Sequence, residues 1–203
     1  SCYNLTMNLK VGIVGLPNAG KSTLFNALLK KQVAEMANYP FTTIEPNVGV
    51  VPVPDERLEK LAKITKEEEK MDKLPLLVPA VVEFVDIAGL VKGASEGEGL
   101  GNKFLSHIRE VDLVVNVLRY FEDPSVVHVA GNVDPERDRG IIETELMLAD
   151  LQTLGNQKVK GKVVQELSES LNHGIPARDA GLTDEQRREI RDLQLLTMKP
   201  VLY

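Results

Sequence analysis

The feature that most constrains this chain is an apolar run that ends in a glycine loop and continues as a helix-forming stretch. Residues 9–14 predict a buried strand, and residues 21–31 predict a helix with one apolar face. Between them, residues 15–22 have the pattern Gly-x-x-x-x-Gly-Lys-Ser. A strand, a glycine loop and a helix in this order form the start of a βαβ unit. They predict a loop that holds phosphate groups, a P-loop.

Each residue type in this loop has a chemical role in binding phosphate or metal. Gly15 and Gly20 permit backbone angles and a close approach to phosphate that a side chain would block. Backbone N–H groups at a helix N-terminus bind phosphate, Lys21 adds a positive charge, and Ser22 gives a hydroxyl to Mg²⁺. A glycine turn that precedes a helix by chance is the alternative, and the full match disfavours it. The predicted nucleotide-binding residues in the loop are Gly15, Pro17, Asn18, Ala19, Gly20, Lys21, Ser22 and Thr23.

An acidic residue ends a second predicted buried strand. Residues 81–86 are Val-Val-Glu-Phe-Val-Asp, so the strand delivers Asp86 to its carboxyl end. Beside a P-loop, such an acid holds Mg²⁺ through water, whereas alone it would more often cap a helix or turn. Gly89 follows three residues later and is predicted to offer its backbone N–H to the terminal phosphate.

Two threonines, Thr42 and Thr43, lie in the polar, proline-containing stretch 34–46 after the first helix. A threonine in such a loop can complete Mg²⁺ coordination while a γ-phosphate is present, and loss of that phosphate releases the loop. Two ordinary loop threonines are the alternative. We predict Thr43 as the metal ligand.

The rest of the chain alternates between helical and apolar strand patterns. Strands are predicted at 48–53, at 113–118 and from residue 200, and helices from residue 54, at 102–110, at 141–154 and at 183–196. Loops are predicted at 89–101 and 120–140. The lysine-rich stretch 155–174 has only a weak helical pattern and is predicted to project rather than to join a core. This alternation predicts an α/β fold, with a mostly parallel sheet covered by helices.

Composition excludes several classes of function. The 203 residues carry a formal net charge of −6, which argues against non-specific binding of nucleic acid, including DNA. The single cysteine, Cys2, permits no internal disulfide, and a reducing, cytoplasmic location is the default expectation. No apolar run approaches the roughly 20 residues of a membrane span, so no membrane partner is expected.

Several long strings resemble one family. Residues 38–47, Asn-Tyr-Pro-Phe-Thr-Thr-Ile-Glu-Pro-Asn, are similar to the switch segment of Obg-related proteins. Residues 84–95, Phe-Val-Asp-Ile-Ala-Gly-Leu-Val-Lys-Gly-Ala-Ser, and Gly-Glu-Gly-Leu-Gly-Asn at 97–102 look like the YchF branch. The resemblance covers residues 7–203. The chain thus resembles the YchF family, the ribosome-associated Obg-like ATPases among the translation-factor-type P-loop GTPases.

The resemblance implies a domain division. Residues 7–150 are expected to form the first part of a G domain, 151–182 an inserted helical arm and 183–203 a return to the G domain. Residues 1–6 are expected to be a leader or added residues, because Met7 is a plausible start. The chain departs from the family pattern in a short arm and in ending before the base-reading Asn-x-x-Glu motif and the TGS domain. The stretch around residues 154–162 is where arm residues are expected to be missing.

The resemblance also implies partners and a catalytic residue. Members prefer ATP to GTP and associate with the ribosome, for which we expect the large subunit. Where many related GTPases have a water-orienting glutamine, this chain has Leu90, which cannot hydrogen-bond water. Among the three histidines, the resemblance assigns this role to His128, with His107 and His173 expected to be structural. Asn18 resembles the P-loop asparagine of relatives that bind K⁺, and a turn-forming role is the equal alternative.

These observations predict an Mg²⁺-dependent nucleoside triphosphatase that acts as a ribosome-linked switch. Lys21 and His128 are its predicted catalytic residues, and Ser22, Thr43 and Asp86 its metal ligands. A nucleotide-gated binding switch with negligible hydrolysis is the second interpretation, because Leu90 replaces the glutamine. A P-loop kinase ranks last, since the only late arginine cluster, at 178–191, surrounds a capped helix.

Overall fold

The structure is a computed structural model. It describes residues 9–35, 47–87, 100–123, 125–126, 128, 131–156 and 161–203, and it leaves the side chains of 30–35 and 100–103 outside the description. The strands are β1 Leu9–Val14, β2 Val48–Pro52, β3 Val81–Asp86, β4 Leu113–Asn116 and β5 Val201–Leu202. The helices are α1 Lys21–Glu35, α2 Glu56–Glu68, α3 Leu100–Glu110, α4 Pro135–Gly155, α5 Lys162–Asn172 and α6 Asp184–Glu189.

Within the described residues these strands form one sheet in the order β2-β3-β1-β4-β5. The pairs β1–β3, β1–β4 and β4–β5 are parallel, and only β2 runs antiparallel to its neighbour β3. The predicted α/β fold with a mostly parallel sheet is therefore confirmed. β2 lies at the edge of the sheet, where an otherwise parallel sheet commonly carries an antiparallel strand.

Two predicted boundaries are wrong for identifiable reasons. α4 begins at Pro135, not at residue 141, because Asp134 caps its N-terminus by accepting from the N–H of Arg137 and proline fits the first turn. α6 keeps the predicted capping box of Thr183 and Gln186 but ends at Glu189 instead of 196. Short 3₁₀ turns follow, and Gln194 is left-handed with φ 47°, which ends helical continuation.

The main core lies between the sheet and the helices α3 and α4. β1 and β4 contribute Val14 and Val114, and α3 contributes Ile108, which is fully buried. α1 packs on β2, where a Cβ at Gly49 would lie 2.6 Å from the side chain of Leu29. Burial of these apolar side chains holds β1, and with it the glycine loop that follows, in a fixed position.

The expectation that residues 155–174 project without joining a core is wrong for α5. Its apolar face is buried in a second cluster that α4 and the turns after α6 complete, and Leu167 is fully enclosed. The four apolar positions that gave the weak helical pattern are the ones that pack there: Val163, Val164, Leu167 and Leu171. The division of the chain at residues 151–182 stays a prediction.

Among the described helices, none combines the length and apolar character that crossing a membrane requires.

Candidate nucleotide-binding site

Three strands end together at one edge of the sheet. Ile13 of β1 pairs with Asp86 of β3, and Val14 of β1 pairs with Asn116 of β4. The glycine loop leaves β1 at this edge, and the segment that leads to His128 leaves β4 there. The carboxyl edge of a parallel sheet is where α/β folds bind ligands, so the topology brings the main predicted site segments to one place.

The glycine loop has the backbone that its residue types demand. Gly15 has φ +155°, and a Cβ there would lie 2.6 Å from the carbonyl oxygen of Val117. Gly20 has φ +104°, and no described atom lies within 4 Å of the Cβ position, so the backbone is open to a bound group. Asn18 is left-handed with φ 63°, a conformation that asparagine tolerates, which fits its turn-forming interpretation.

Lys21 is buried and bends back over its own loop. Its Nζ donates a 2.9 Å hydrogen bond to the carbonyl oxygen of Leu16, and its residue is 8% exposed. Burial lowers the pKa of Lys21, while the nearby negative charge of Asp86 raises it. A desolvated ammonium that donates to a backbone carbonyl is further stabilised by any anion that enters the loop.

Ser22 and Asp86 meet beside the loop. Ser22 Oγ donates to Asp86 Oδ2 over 3.2 Å, while Asp86 Oδ1 is buried and has no hydrogen-bond partner among the residues that the structure describes. A buried, unsatisfied carboxylate oxygen is costly, and oxygen ligands beside a serine hydroxyl suit Mg²⁺, which keeps several of its waters. The residues therefore fit an Mg²⁺ ion, which Ser22 would bind directly and Asp86 would hold through water.

His128 is buried against the first turn of α4. Its Nε2 lies 2.7 Å from Asp138 Oδ2, and the two side chains are 5% and 4% exposed. Arg137 donates to the other carboxylate oxygen of Asp138 and to Asn132, which precedes the helix. His128 thus lies in a network of hydrogen-bonded side chains, whereas the sequence predicted only a histidine that follows a loop.

Sequence reasoning missed two buried polar residues, one at the end of β4 and one in the loop after it. Arg119 is 2% exposed and its guanidinium donates to three backbone carbonyls of the following loop. Asn116 is 2% exposed, and no described residue hydrogen-bonds its Oδ1. A polar residue that ends an apolar strand at the ligand-binding edge is the signal that could have identified Asn116.

Several predicted residues lie outside the described part of the chain: Thr42, Thr43, Gly89, Leu90 and the leader at 1–6. The remaining P-loop residues Pro17, Ala19 and Thr23 lie in the loop and the first turn of α1. His107 is in α3 as expected. His173 is the C-cap of α5, and its Nδ1 lies 2.7 Å from the carbonyl oxygen of Glu169.

A family model described as 50S ribosome-binding GTPase matches residues 10–160. The chain belongs to this family. The match spans β1, the P-loop and β3 with Asp86, the elements that form the site.

Within this GTPase family, the resemblance to YchF is confirmed. The ribosome-binding ATPases YchF of Bacillus subtilis and Haemophilus influenzae are each 49% identical over 212 residues, covering 97% of this chain and 56% of their own. The YchF GTPase of Schizosaccharomyces pombe is a solved structure with a TM-score of 0.73 and 39% identity, matched over 97% of this chain and 56% of its own.

The chain spans about half the length of the curated YchF relatives that it matches. The matched stretch of 212 residues is longer than the 203 residues of the chain. The relatives therefore have residues inside the matched region for which this chain has no counterpart. This is consistent with the short arm expected from the sequence.

Proposed function

We propose that this chain is the phosphate-binding part of an Mg²⁺-dependent nucleoside triphosphatase of the YchF type, which cleaves the β–γ phosphoanhydride. The observation that carries the proposal is the contact of Ser22 with Asp86, whose second carboxylate oxygen is buried and has no hydrogen-bond partner in the described part of the chain. Together with the buried ammonium of Lys21, it combines a cation for the phosphates with oxygens for a metal.

Catalysis would rest on positioning and charge neutralisation. Lys21 would exchange the carbonyl of Leu16 for phosphate oxygens, and the open backbone at Gly20 would donate N–H groups. Bound Mg²⁺ supplies Lewis-acid stabilisation of the charge on the outer phosphates. Thr43 and Gly89 are proposed to complete the metal ligands and the γ-phosphate contacts.

His128 is the proposed water-orienting residue. Its segment leaves β4 at the same edge as the P-loop, which supports the assignment. The contact with Asp138 occupies Nε2. His128 would therefore act after the segment is repositioned.

The same contact favours one rival. If His128 stays on Asp138, the chain is a nucleotide-gated binding switch with negligible hydrolysis. Single-turnover hydrolysis by wild type and His128→Ala separates the two. Our proposal predicts a slower rate for His128→Ala with an unchanged nucleotide Kd. Equal rates would rule out the assignment of His128.

The names of the relatives suggest which nucleotide and which partner this chain binds. The relatives are called ribosome-binding ATPases, so we infer ATP as the preferred nucleotide, the ribosome as partner through its large subunit, and the cytoplasm as location. K⁺ beside Asn18 would add positive charge at the phosphates. Titration of labelled ATP and GTP in K⁺ and in Na⁺ tests the choice of nucleotide and the role of K⁺. Tighter GTP binding would contradict the first, and equal affinity in both salts would contradict the second.

A further inference from the structure

The loop after β4 is folded around one buried guanidinium. Arg119 Nε donates to the carbonyl of Phe121 over 3.0 Å, Nη1 to that of Val126 over 2.9 Å and Nη2 to that of Asp123 over 3.3 Å. All three nitrogens of the side chain are thus bound to backbone of a segment that ends two residues before His128. The planar, rigid guanidinium of an arginine fixes three carbonyls relative to one another, whereas the flexible ammonium of a lysine does not.

Side-chain contacts hold the same loop from outside. The Phe121 ring lies 4.8 Å from the Arg119 guanidinium carbon, a cation–π contact. Asp123 Oδ1 accepts from both the N–H and the hydroxyl of Ser125, which makes a local turn. These hydrogen bonds lower the pKa of Asp123, and the charge of Arg119 adds to the shift.

The far end of the segment is fixed by α4. Asp138 binds His128, and Arg137 joins Asp138 to Asn132 at the entry of the helix. His128 therefore lies between two anchored points, the Arg119-bound loop and the first turn of α4.

We propose that Arg119 is a positioning residue, whose hold on the carbonyls of residues 121, 123 and 126 sets where His128 is delivered to the nucleotide site. This inference rests on the proposed function, in which His128 orients the attacking water. Arg119 acts through the loop and does not touch the phosphates. Its side chain is 2% exposed with every nitrogen bound to a carbonyl, unlike an arginine that projects towards phosphate.

The test is a double-mutant cycle in single-turnover ATP hydrolysis on the whole chain. Arg119→Lys keeps the charge and loses the planar guanidinium, and we expect its hydrolysis rate to fall about 10–100-fold with an unchanged nucleotide Kd. In the His128→Ala background the same change should have almost no further effect. Arg178→Lys is the matched control, since Arg178 is largely buried and binds Glu143. We expect it to leave the rate unchanged.

Each outcome of this cycle decides a separate point. A hydrolysis rate equal to wild type for Arg119→Lys would overturn the inference. It would also be overturned if Arg119→Lys slowed hydrolysis as much in the His128→Ala background as in wild type. That second result would indicate that Arg119 contacts phosphate directly. If His128→Ala hydrolyses slowly and Arg119→Lys at the wild-type rate, the proposed function stands and only the role of Arg119 is refuted. If His128→Ala hydrolyses at the wild-type rate, the roles of His128 and Arg119 are both refuted.

A second measurement does not depend on hydrolysis. The chain has three histidines, so their ring signals in a ¹H–¹³C spectrum can be followed individually. Arg119→Met should shift the ring signal of His128 and accelerate deuterium exchange at its C2 position, while His107 and His173 stay unchanged. An unmoved His128 signal in a folded Arg119→Met variant would contradict the inference. If that variant does not fold, Arg119→Lys serves for the same comparison.

Discussion

Ser22 Oγ donates a hydrogen bond to Asp86 Oδ2 over 3.2 Å, although 64 positions separate the two residues in the chain. The parallel pairing of β1 with β3 produces this contact, because it places Ile13, one residue before the end of β1, opposite Asp86 at the end of β3. A serine hydroxyl and a half-buried carboxylate are thereby brought together beside the loop that precedes α1. The metal chemistry proposed here depends on that register.

Asp86→Asn should separate metal binding from nucleotide binding. The amide cannot hold metal-bound water as a carboxylate does, so we expect the affinity for Mg²⁺–ATP to fall about 10–100-fold. Affinity for ATP measured in EDTA should stay unchanged or rise, because a negative charge near the phosphates is removed. Calorimetric titration with and without Mg²⁺ makes the comparison, and an equal loss in both conditions would argue against a metal role.

Nucleotide affinity should weaken at alkaline pH. Burial lowers the pKa of Lys21 from its ordinary 10.5, so the ammonium loses its proton at a lower pH than an exposed lysine does. Phosphate binding favours the protonated form. Affinity is therefore complete below the lowered pKa of Lys21 and decreases as pH rises through it. Titrations across this range measure the effect, and Lys21→Arg, which keeps its charge, is the control. An equally steep decline in Lys21→Arg would assign the pH effect to another group.

Asp150 should be a main determinant of stability. It is fully buried in α4, and its carboxylate accepts from the N–H groups of Leu196 and Thr197 and from the Thr197 hydroxyl. Asp150→Ala leaves these donors unsatisfied and should lower the free energy of unfolding by about 2–4 kcal/mol. Urea unfolding measures the change. Asp192→Ala, at an exposed position, should be nearly neutral, and similar losses for both would contradict the prediction.

The packing of α5 is tested by Leu167→Ala. Leu167 is fully buried between α5 and its neighbours, so the cavity should lower the free energy of unfolding by about 2–5 kcal/mol. Leu61→Ala in α2 is the control, because Leu61 is 59% exposed. A negligible effect of Leu167→Ala would mean that α5 does not stabilise the fold in solution.

The P-loop could be predicted from the sequence because its determinants are local. Glycine spacing, the following lysine and serine, and the apolar run before them lie within residues 9–22. Asp86 could be predicted because an acid at the end of an apolar strand has a defined place once the sheet is parallel. The fold class could be predicted because helical and strand patterns alternate along the chain.

Long-range and buried polar contacts could not be predicted. Arg119 and Asp138 are charged residues near a loop, where exposure is the usual outcome, and their burial depends on backbone carbonyls and a histidine. The start of α4 was missed because Gly140 lies inside the helix, where glycine is disfavoured. The role of α5 was missed because its apolar partners, such as Met147 and Ile190, belong to other elements.

We propose that this site hydrolyses a nucleoside triphosphate with the help of a metal held by Ser22 and Asp86. The decisive measurement is single-turnover hydrolysis of γ-labelled ATP, with and without Mg²⁺, by wild type and Asp86→Asn. We expect wild type to release labelled phosphate only with Mg²⁺, and Asp86→Asn to lose most of this activity. Release at the rate of buffer alone, or release by wild type that does not depend on Mg²⁺, would contradict it.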